Sequence, residues 1–179
     1  METNKVILVD ERDNEIGAME KLAAHKQGLL HRAFSVFIFN SEGKMLLQRR
    51  ALSKYHSGGL WTNACCSHPS PGEDVETAAL RRLQEEMGFA TGLERIFDFI
   101  YKAAFDNGLT EFEFDHVLAG EYEGLIDPDK KEVMDFCYKS VQEISQSLQE
   151  QPYLYTAWFG EAFSRVESWW ATRYKNMVA

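Results

Sequence analysis

Short patterns scattered along the chain carry groups able to move protons, hold a metal or grip an anion. Cys65-Cys66-Ser67-His68 sets the Cys66 thiol and an imidazole two residues apart, and in an extended strand such a pair leaves the backbone on one side. Cys65 then points the other way, so only one of the two cysteines can face a given site. Glu111-Phe112-Glu113 repeats the spacing with two carboxylates, which strict alternation also turns the same way. Downstream of the cysteines, residues 81–86 read Arg-Arg-Leu-Gln-Glu-Glu, so on a helix Arg82 lies beside Glu85 and Glu86. His25 and His31, six apart, follow Lys21, and Arg49-Arg50-Ala51-Leu52-Ser53-Lys54 gathers three cations. Each pattern alone also has an ordinary reading. A cysteine is commonly core, paired acids on one strand or helix face are commonly solvated, and a basic loop commonly faces water. The histidine spacing matches no compact zinc motif.

Elements to position these groups are legible on either side of them. Val6–Val9 and Glu15–Met19 flank a polar turn and predict an edge hairpin. Ala33–Phe39, a β-branched and aromatic run, and Lys44–Gln48 flank Asn40-Ser41-Glu42-Gly43 and predict a central hairpin. After Pro69 and Pro71-Gly72, Asp74 caps a helix from Val75 to about Met87 that Gly88 ends, burying Ala79, Leu83 and Met87. Glu94–Ala104 and Glu111–His116 are strands joined through Asp106-Asn107-Gly108. Asp135–Val141 is the expected last strand. A capping box at Ser140-Val141-Gln142-Glu143 opens a helix to about Gln149, and beyond Pro152 a second helix covers Thr156 to Met177.

With 179 residues and 13% aromatic content, the chain suits a single domain, residues 1–179, of the α/β class with a sizeable core. A net charge of −9 argues against nucleic acid as a partner, so an anionic substrate must be met by local cations or metal. The N-terminus has no basic start followed by an apolar run, and nothing approaches the roughly 20 apolar residues of a membrane span. Three cysteines, two of them adjacent, do not form a disulfide framework. A cytoplasmic protein, monomeric or weakly self-associating and without membrane partners, is the expectation.

The stretch Thr62–Phe89 carries two resemblances. Glu73 followed by Arg81-Arg82-Leu83-Gln84-Glu85-Glu86-Met87-Gly88-Phe89 resembles the Nudix box, G-x5-E-x7-R-E-U-x-E-E-x-G-U with U a bulky apolar residue. Ser67 stands where the box opens with Gly, and Arg82 where the hydrolases keep a glutamate. Thr62-Asn63-Ala64-Cys65-Cys66-Ser67-His68-Pro69 resembles the T-N-x-x-C-x-H-P signature of type I isopentenyl-diphosphate isomerase, a Nudix-fold family that moves a double bond. The resemblance runs from about Val6 to Trp170 with the motifs in matching order.

That resemblance implies an α+β Nudix fold, a mixed β-sheet sandwiched between helices, with N-terminal edge strands and a C-terminal helical lid. It implies Cys66 and Glu113 as the proton-transfer pair, Tyr101 supporting the carboxyl, and Trp158 covering the reacting carbon. Lys21, Arg50, Lys54 and Arg82 would bind the diphosphate. His25, His31, His68, Glu111 and Glu113 would hold Mn²⁺, Mg²⁺ or Zn²⁺. Glu86, with the Cys66 carbonyl as a further ligand, would hold a diphosphate-bridging Mg²⁺. The rivals are a Nudix pyrophosphohydrolase of a nucleoside diphosphate derivative, against which Arg82 stands, and a non-catalytic binding or redox-sensing module using Cys65-Cys66.

Overall fold

The computed structural model describes residues 4–174. In chain order the elements are β1 (Lys5–Val9), β2 (Glu15–Glu20), α1 (Lys21–Gln27), β3 (His31–Phe39), β4 (Met45–Arg50), β5 (Trp61–Thr62) and β6 (Cys65–Ser67). Then come α2 (Val75–Met87), β7 (Leu93–Ala104), β8 (Thr110–Glu121), β9 (Val133–Lys139), α3 (Val141–Glu150), a 3-10 turn at Pro152–Leu154, and α4 (Ala157–Tyr174). The strands form one mixed sheet, and β3 is its hub. It runs parallel to β8 from His31↔Glu113 to Phe39↔Glu121 and antiparallel to β6 through Ser35↔Cys66 and Val36↔Cys65. β8 also carries β7, with Tyr101 opposite Glu113.

The helices cover both faces of this sheet, and alternation along β3 explains how. Phe34, Val36 and Ile38 join Ala79, Leu83 and Met87 of α2 in one core, while Phe37 and Phe39 join Phe159, Phe163 and Val166 of α4 in the other. A strand buried on both faces shows no polar alternation, which is why residues 33–39 read as a continuous apolar run. Cys65 lies in the α2 core, and Cys66 packs against the α4 core. The opposite orientation expected for the two cysteines is therefore found.

Several expectations need correction. The β3–β4 hairpin is ladder-bonded only at Phe39↔Met45; β4 instead pairs with β9 and β5. Each strand is buried on both faces and takes further partners of its own, so the two diverge from their turn. Helix α1 was not expected, since seven residues hold too little apolar pattern to show a period. It forms because the Glu20 carboxylate accepts from the Leu22 and Ala23 amides at 3.1 and 2.8 Å and Gly28, with φ 61°, ends it. The last strand is Val133–Lys139 and not Asp135–Val141, because Ser140 and Glu143 close a capping box that puts Val141 in the helix. The final helix begins at Ala157, and Met177 lies outside the described residues.

Asp74 caps α2 through the Glu76 and Thr77 amides at 3.0 and 3.1 Å. At its other end Gly88 has φ +78°, and a Cβ there would lie 2.4 Å from the Asp127 carbonyl oxygen. Both conditions exclude a side chain. Gly88→Ala should therefore lower stability by about 1–3 kcal/mol in urea unfolding, and a change within error would show that the loop at Asp127 yields freely.

Candidate active site

The polar end of the face that α4 covers elsewhere is built from four strands. His31 and Ser35 leave β3 on the side of Phe37 and Phe39, Cys66 joins them from β6, and Glu111, Glu113 and Asp115 follow the same alternation on β8. Tyr101 enters from β7. Below this patch the same side is closed by Phe37, Phe39, Phe99 and Val117.

Three imidazoles converge here. His25 donates from Nδ1 to the Lys21 carbonyl at 2.7 Å, and His31 from Nδ1 to the Leu29 carbonyl at 2.8 Å. A carbonyl only accepts, so each ring carries its proton on Nδ1 and turns an Nε2 lone pair inward. Both Nε2 atoms are buried without a hydrogen-bond partner. His31 Nε2 lies 3.5 Å from Glu113 Oε1, too far and too poorly aligned to satisfy it. His68 Nε2 sits 2.9 Å from the same oxygen. Ligand atoms of His25, His31, His68 and Glu113 all fall within 4.8 Å of one another, as do those of His25, His56 and Glu111. Orphaned nitrogen lone pairs of this kind cost about 1–3 kcal/mol each when left unmet. The cluster therefore fits a divalent metal ion, and its nitrogen content favours a transition metal.

Two of the three imidazoles are held in the neutral form that a metal ligand needs. Burial pushes His68 down to about 3 and His25 down to about 4, which keeps both neutral. Burial acts to raise Glu113, but the imidazoles of His31 and His68 beside it outweigh that and hold the carboxyl well below its usual range. His31 is raised in turn, because Glu113 overcomes the effect of burial. The Tyr101 hydroxyl lies 2.9 Å from Glu111 Oε2 and 2.6 Å from Glu113 Oε2. Burial followed by these acids raises its own titration far above that of a free phenol.

Cys66 opens onto the same cavity as Glu113, Tyr101 and Trp158. The Trp158 Nε1–H donates to its sulfur at 3.0 Å, and the Asn63 Oδ1 lies 3.1 Å away. Ser35 Oγ, bonded to Asp115 at 2.7 Å, is 3.5 Å from the sulfur on a further side. Burial raises the thiol, so the resting group holds its proton. The Arg50 guanidinium lies 5.2 Å from the Trp158 ring.

Lys21, Arg50, Lys54 and Arg82 line this cavity too, and Lys21, Lys54 and Arg82 continue into an adjoining wider cleft. Burial, with the neighbouring Lys54 and Arg50, depresses Lys21. Acids pair with two of these cations. Glu132 pairs with Lys54 and lies 3.5 Å from Arg82, while Arg82 also bonds Glu85 at 2.6 Å and Glu86 at 2.8 Å. Glu86 is buried and accepts from Gln48 at 3.2 Å. The structure thus brings Cys66, Glu113, Tyr101, Trp158, Glu86 and the four cations around one cavity. It groups Glu111 with His25 and His56, and leaves Cys66 out of both histidine groupings.

Several lining groups escaped the sequence reading. Asp115 continues the Glu111–Glu113 alternation and was within reach of that argument. Asn63 sits inside the Thr62–Pro69 stretch. His56, Tyr55 and Glu132 stand in irregular segments and carry no periodic signal.

His25 and His68 bind protons far more weakly folded than unfolded, where imidazole titrates at about 6.5. The unfolded chain therefore takes up more protons below that pH, and the metal-free protein loses stability from about pH 6.5 toward 4. His25→Gln should flatten the plot of thermal midpoint against pH across that interval, and an unchanged slope would remove His25 from the balance.

Comparison with known proteins agrees with this geometry. Residues 29–159 match the NUDIX domain family. An isopentenyl-diphosphate Delta-isomerase of Pectobacterium atrosepticum is 48% identical over 170 residues, covering 95% of this chain and 95% of its own. Isopentenyl-diphosphate Delta-isomerase 2 of Aromatoleum aromaticum is 46% identical, covering 92% and 87%. Among solved structures, a Deinococcus radiodurans protein superposes with a TM-score of 0.76 at 18% identity, covering 90% of this chain and 98% of that one. A MutT protein of Methanosarcina mazei gives 0.65 at 18%, covering 78% and 94%. These two carry the fold alone. With a near full-length match at such identity, the chain belongs to the isopentenyl-diphosphate Delta-isomerases, built on a Nudix domain.

Proposed function

We infer that the protein interconverts isopentenyl diphosphate and dimethylallyl diphosphate, an isomerisation that moves one C=C bond and leaves the diphosphate whole. The observation that carries this reading is that a half-buried thiol and a buried carboxyl–phenol pair open on one cavity also lined by four cations. Protonation of the terminal alkene carbon gives a tertiary cation, and loss of a proton from C2 completes the shift. One group must donate and another accept, and by microscopic reversibility each does the opposite in the reverse direction. Cys66 is one, helped by the Trp158 and Asn63 contacts to its sulfur; Glu113 with Tyr101 is the other. Each turnover leaves one with an extra proton and its partner with one fewer, and exchange with solvent restores both.

The remaining side chains hold the substrate and keep water out. Lys21, Arg50, Lys54 and Arg82 grip the diphosphate, displacing Glu132 from Lys54. Arg82 meets phosphate oxygens with a fixed guanidinium fork. His25, His31, His68, Glu111 and Glu113 would hold Mn²⁺ or Zn²⁺ more readily than Mg²⁺, and Glu86 with the diphosphate would hold Mg²⁺. When bound, the first ion supplies positive charge that fixes Glu113 and tunes its affinity for a proton. A tertiary cation reaching water would be trapped as an alcohol, so the aromatic wall at Trp158 and Tyr101 also protects the intermediate. The face of the Trp158 ring stabilises it by about 2 kcal/mol once solvent is excluded.

Isopentenyl diphosphate supplied with Mg²⁺ and Mn²⁺ in D₂O should yield dimethylallyl diphosphate with deuterium uptake by proton NMR, and no inorganic phosphate. Phosphate release from nucleoside diphosphate derivatives without isomerisation would overturn the reading in favour of a hydrolase. Cys66→Ala should slow isomerisation about a thousandfold, the scale of losing an essential proton-transfer group, with diphosphate affinity retained. Trp158→Ala should lower kcat about thirtyfold, the equivalent of the ring's contribution. A loss seen only in KM would instead assign the ring to ground-state binding.

A further inference from the structure

We propose that His56 is a positioning residue for the metal cluster, holding the Glu111 carboxylate in place through the close approach of its Nε2. The inference rests on the metal reading of that cluster. His56 Nε2 lies 3.0 Å from Glu111 Oε1, with the two side chains 3% and 6% exposed. The other Glu111 oxygen lies 2.9 Å from the Tyr101 hydroxyl. Glu111 thus meets a polar neighbour at each oxygen, and the carboxylate shares its space with the unpartnered His25 Nε2. An ionised carboxylate only accepts hydrogen bonds, so the proton of this contact belongs to the imidazole. Ser57 Oγ, 3.2 Å from Nδ1, can donate to it and fix that tautomer.

The loop around His56 is shaped to hold the ring still. The imidazole stacks on Phe105 at 4.6 Å between centroids and 11° between planes, and Tyr55 closes its edge at 4.5 Å. Its backbone carbonyl accepts from Arg50 at 3.3 Å. Ser57 takes the left-handed conformation, φ 54°, rare for a residue with a side chain. A Cβ on Gly58 would come within 2.8 Å of the Leu52 carbonyl oxygen, so the chain folds back there at a distance only glycine permits. A conformational cost accepted beside a buried, polar, aromatic-packed side chain fits a ring whose direction matters. Groups of this kind, one step removed from the metal, set ligand orientation and typically change affinity by about 10–100-fold when lost.

The test uses the chelator-stripped full chain and Mn²⁺ as probe, with free ion followed by electron paramagnetic resonance. His56→Leu should weaken Mn²⁺ about 10–100-fold. His56→Gln, whose amide N–H can reach Glu111, should stay within about threefold of the parent. His56→Asn, whose amide is too short to reach Glu111, takes the leucine variant's place should that protein not fold. In a Glu111→Gln background His56→Leu should add less than about threefold, because the two residues act as one unit. In turnover, kcat should fall while KM for isopentenyl diphosphate holds within about twofold. Normal Mn²⁺ binding by His56→Leu, or a glutamine variant as weak as leucine, overturns the inference while leaving the metal reading intact. Mn²⁺ affinity that survives His25→Ala overturns the metal reading, and this inference with it.

Discussion

The register of β3 against β8 is the constraint on which the site depends. Pairing His31 with Glu113 in a parallel ladder sends both side chains to one side of the sheet. The antiparallel pairing of Ser35 with Cys66 adds the thiol to that same side. Because side chains alternate with a period of two, a slip of one residue would turn Cys65 inward and bury Cys66 against α2. What prevents the slip is the other half of each strand. Phe37, Phe39 and Val117 fill the α4 core while Val36, Ile38 and Leu118 fill the α2 core, so a shifted register would misplace every one of them. The aromatic core is therefore what holds the polar groups in line.

The polar end has no comparable stability of its own. It concentrates four imidazoles, three carboxyls and a phenol where water is scarce, and like charges there push against one another. Asp115 is raised well above a normal carboxyl by burial and by Glu113, and its Oδ1 is buried without a partner. Isolated from the rest, such a cluster would favour opening to solvent. It persists because the strands that carry it are continuous with the packed core, and because most of its groups satisfy one another through Tyr101, Ser35 and His68. The orphaned Nε2 atoms of His25 and His31 are the places where that mutual satisfaction stops, which is also where a metal ion would complete it.

Much of this was legible in the sequence because it follows from alternation and capping. The facing of Glu111 with Glu113, the opposite turns of Cys65 and Cys66, and the helix from Asp74 to Gly88 all rest on local geometry. Choosing Cys66, His25 and His31 as site residues needed the family resemblance, since their spacing alone fits an ordinary core or surface position equally well. What stayed out of reach depends on long-range pairing. Strand β4 leaves β3 for β9, a partner more than eighty residues away in the chain, and no local pattern announces that. His56 sits in a loop with no period, and its contact with Glu111 spans the fold. Helix α1 was missed because its stability comes from a glutamate cap and a glycine stop, with almost no apolar stripe to betray it.

Arg82 marks the point at which this fold departs from diphosphate cleavage. A carboxylate at that position would join Glu85 and Glu86 in a run of negative charge suited to gathering several metal ions around a phosphate. The guanidinium reverses the balance, and its bonds to Glu85 and Glu86 spend the charge of the neighbouring acids on orienting a donor fork. A site with fewer free carboxylates holds less metal beside the scissile bond, so attack by water loses its main electrostatic support. In the proposed reaction the same fork meets the diphosphate oxygens. Binding energy drawn from the tail is then available to seal the hydrocarbon end against the aromatic wall, where the chemistry requires a dry cavity and two proton-transfer groups held apart.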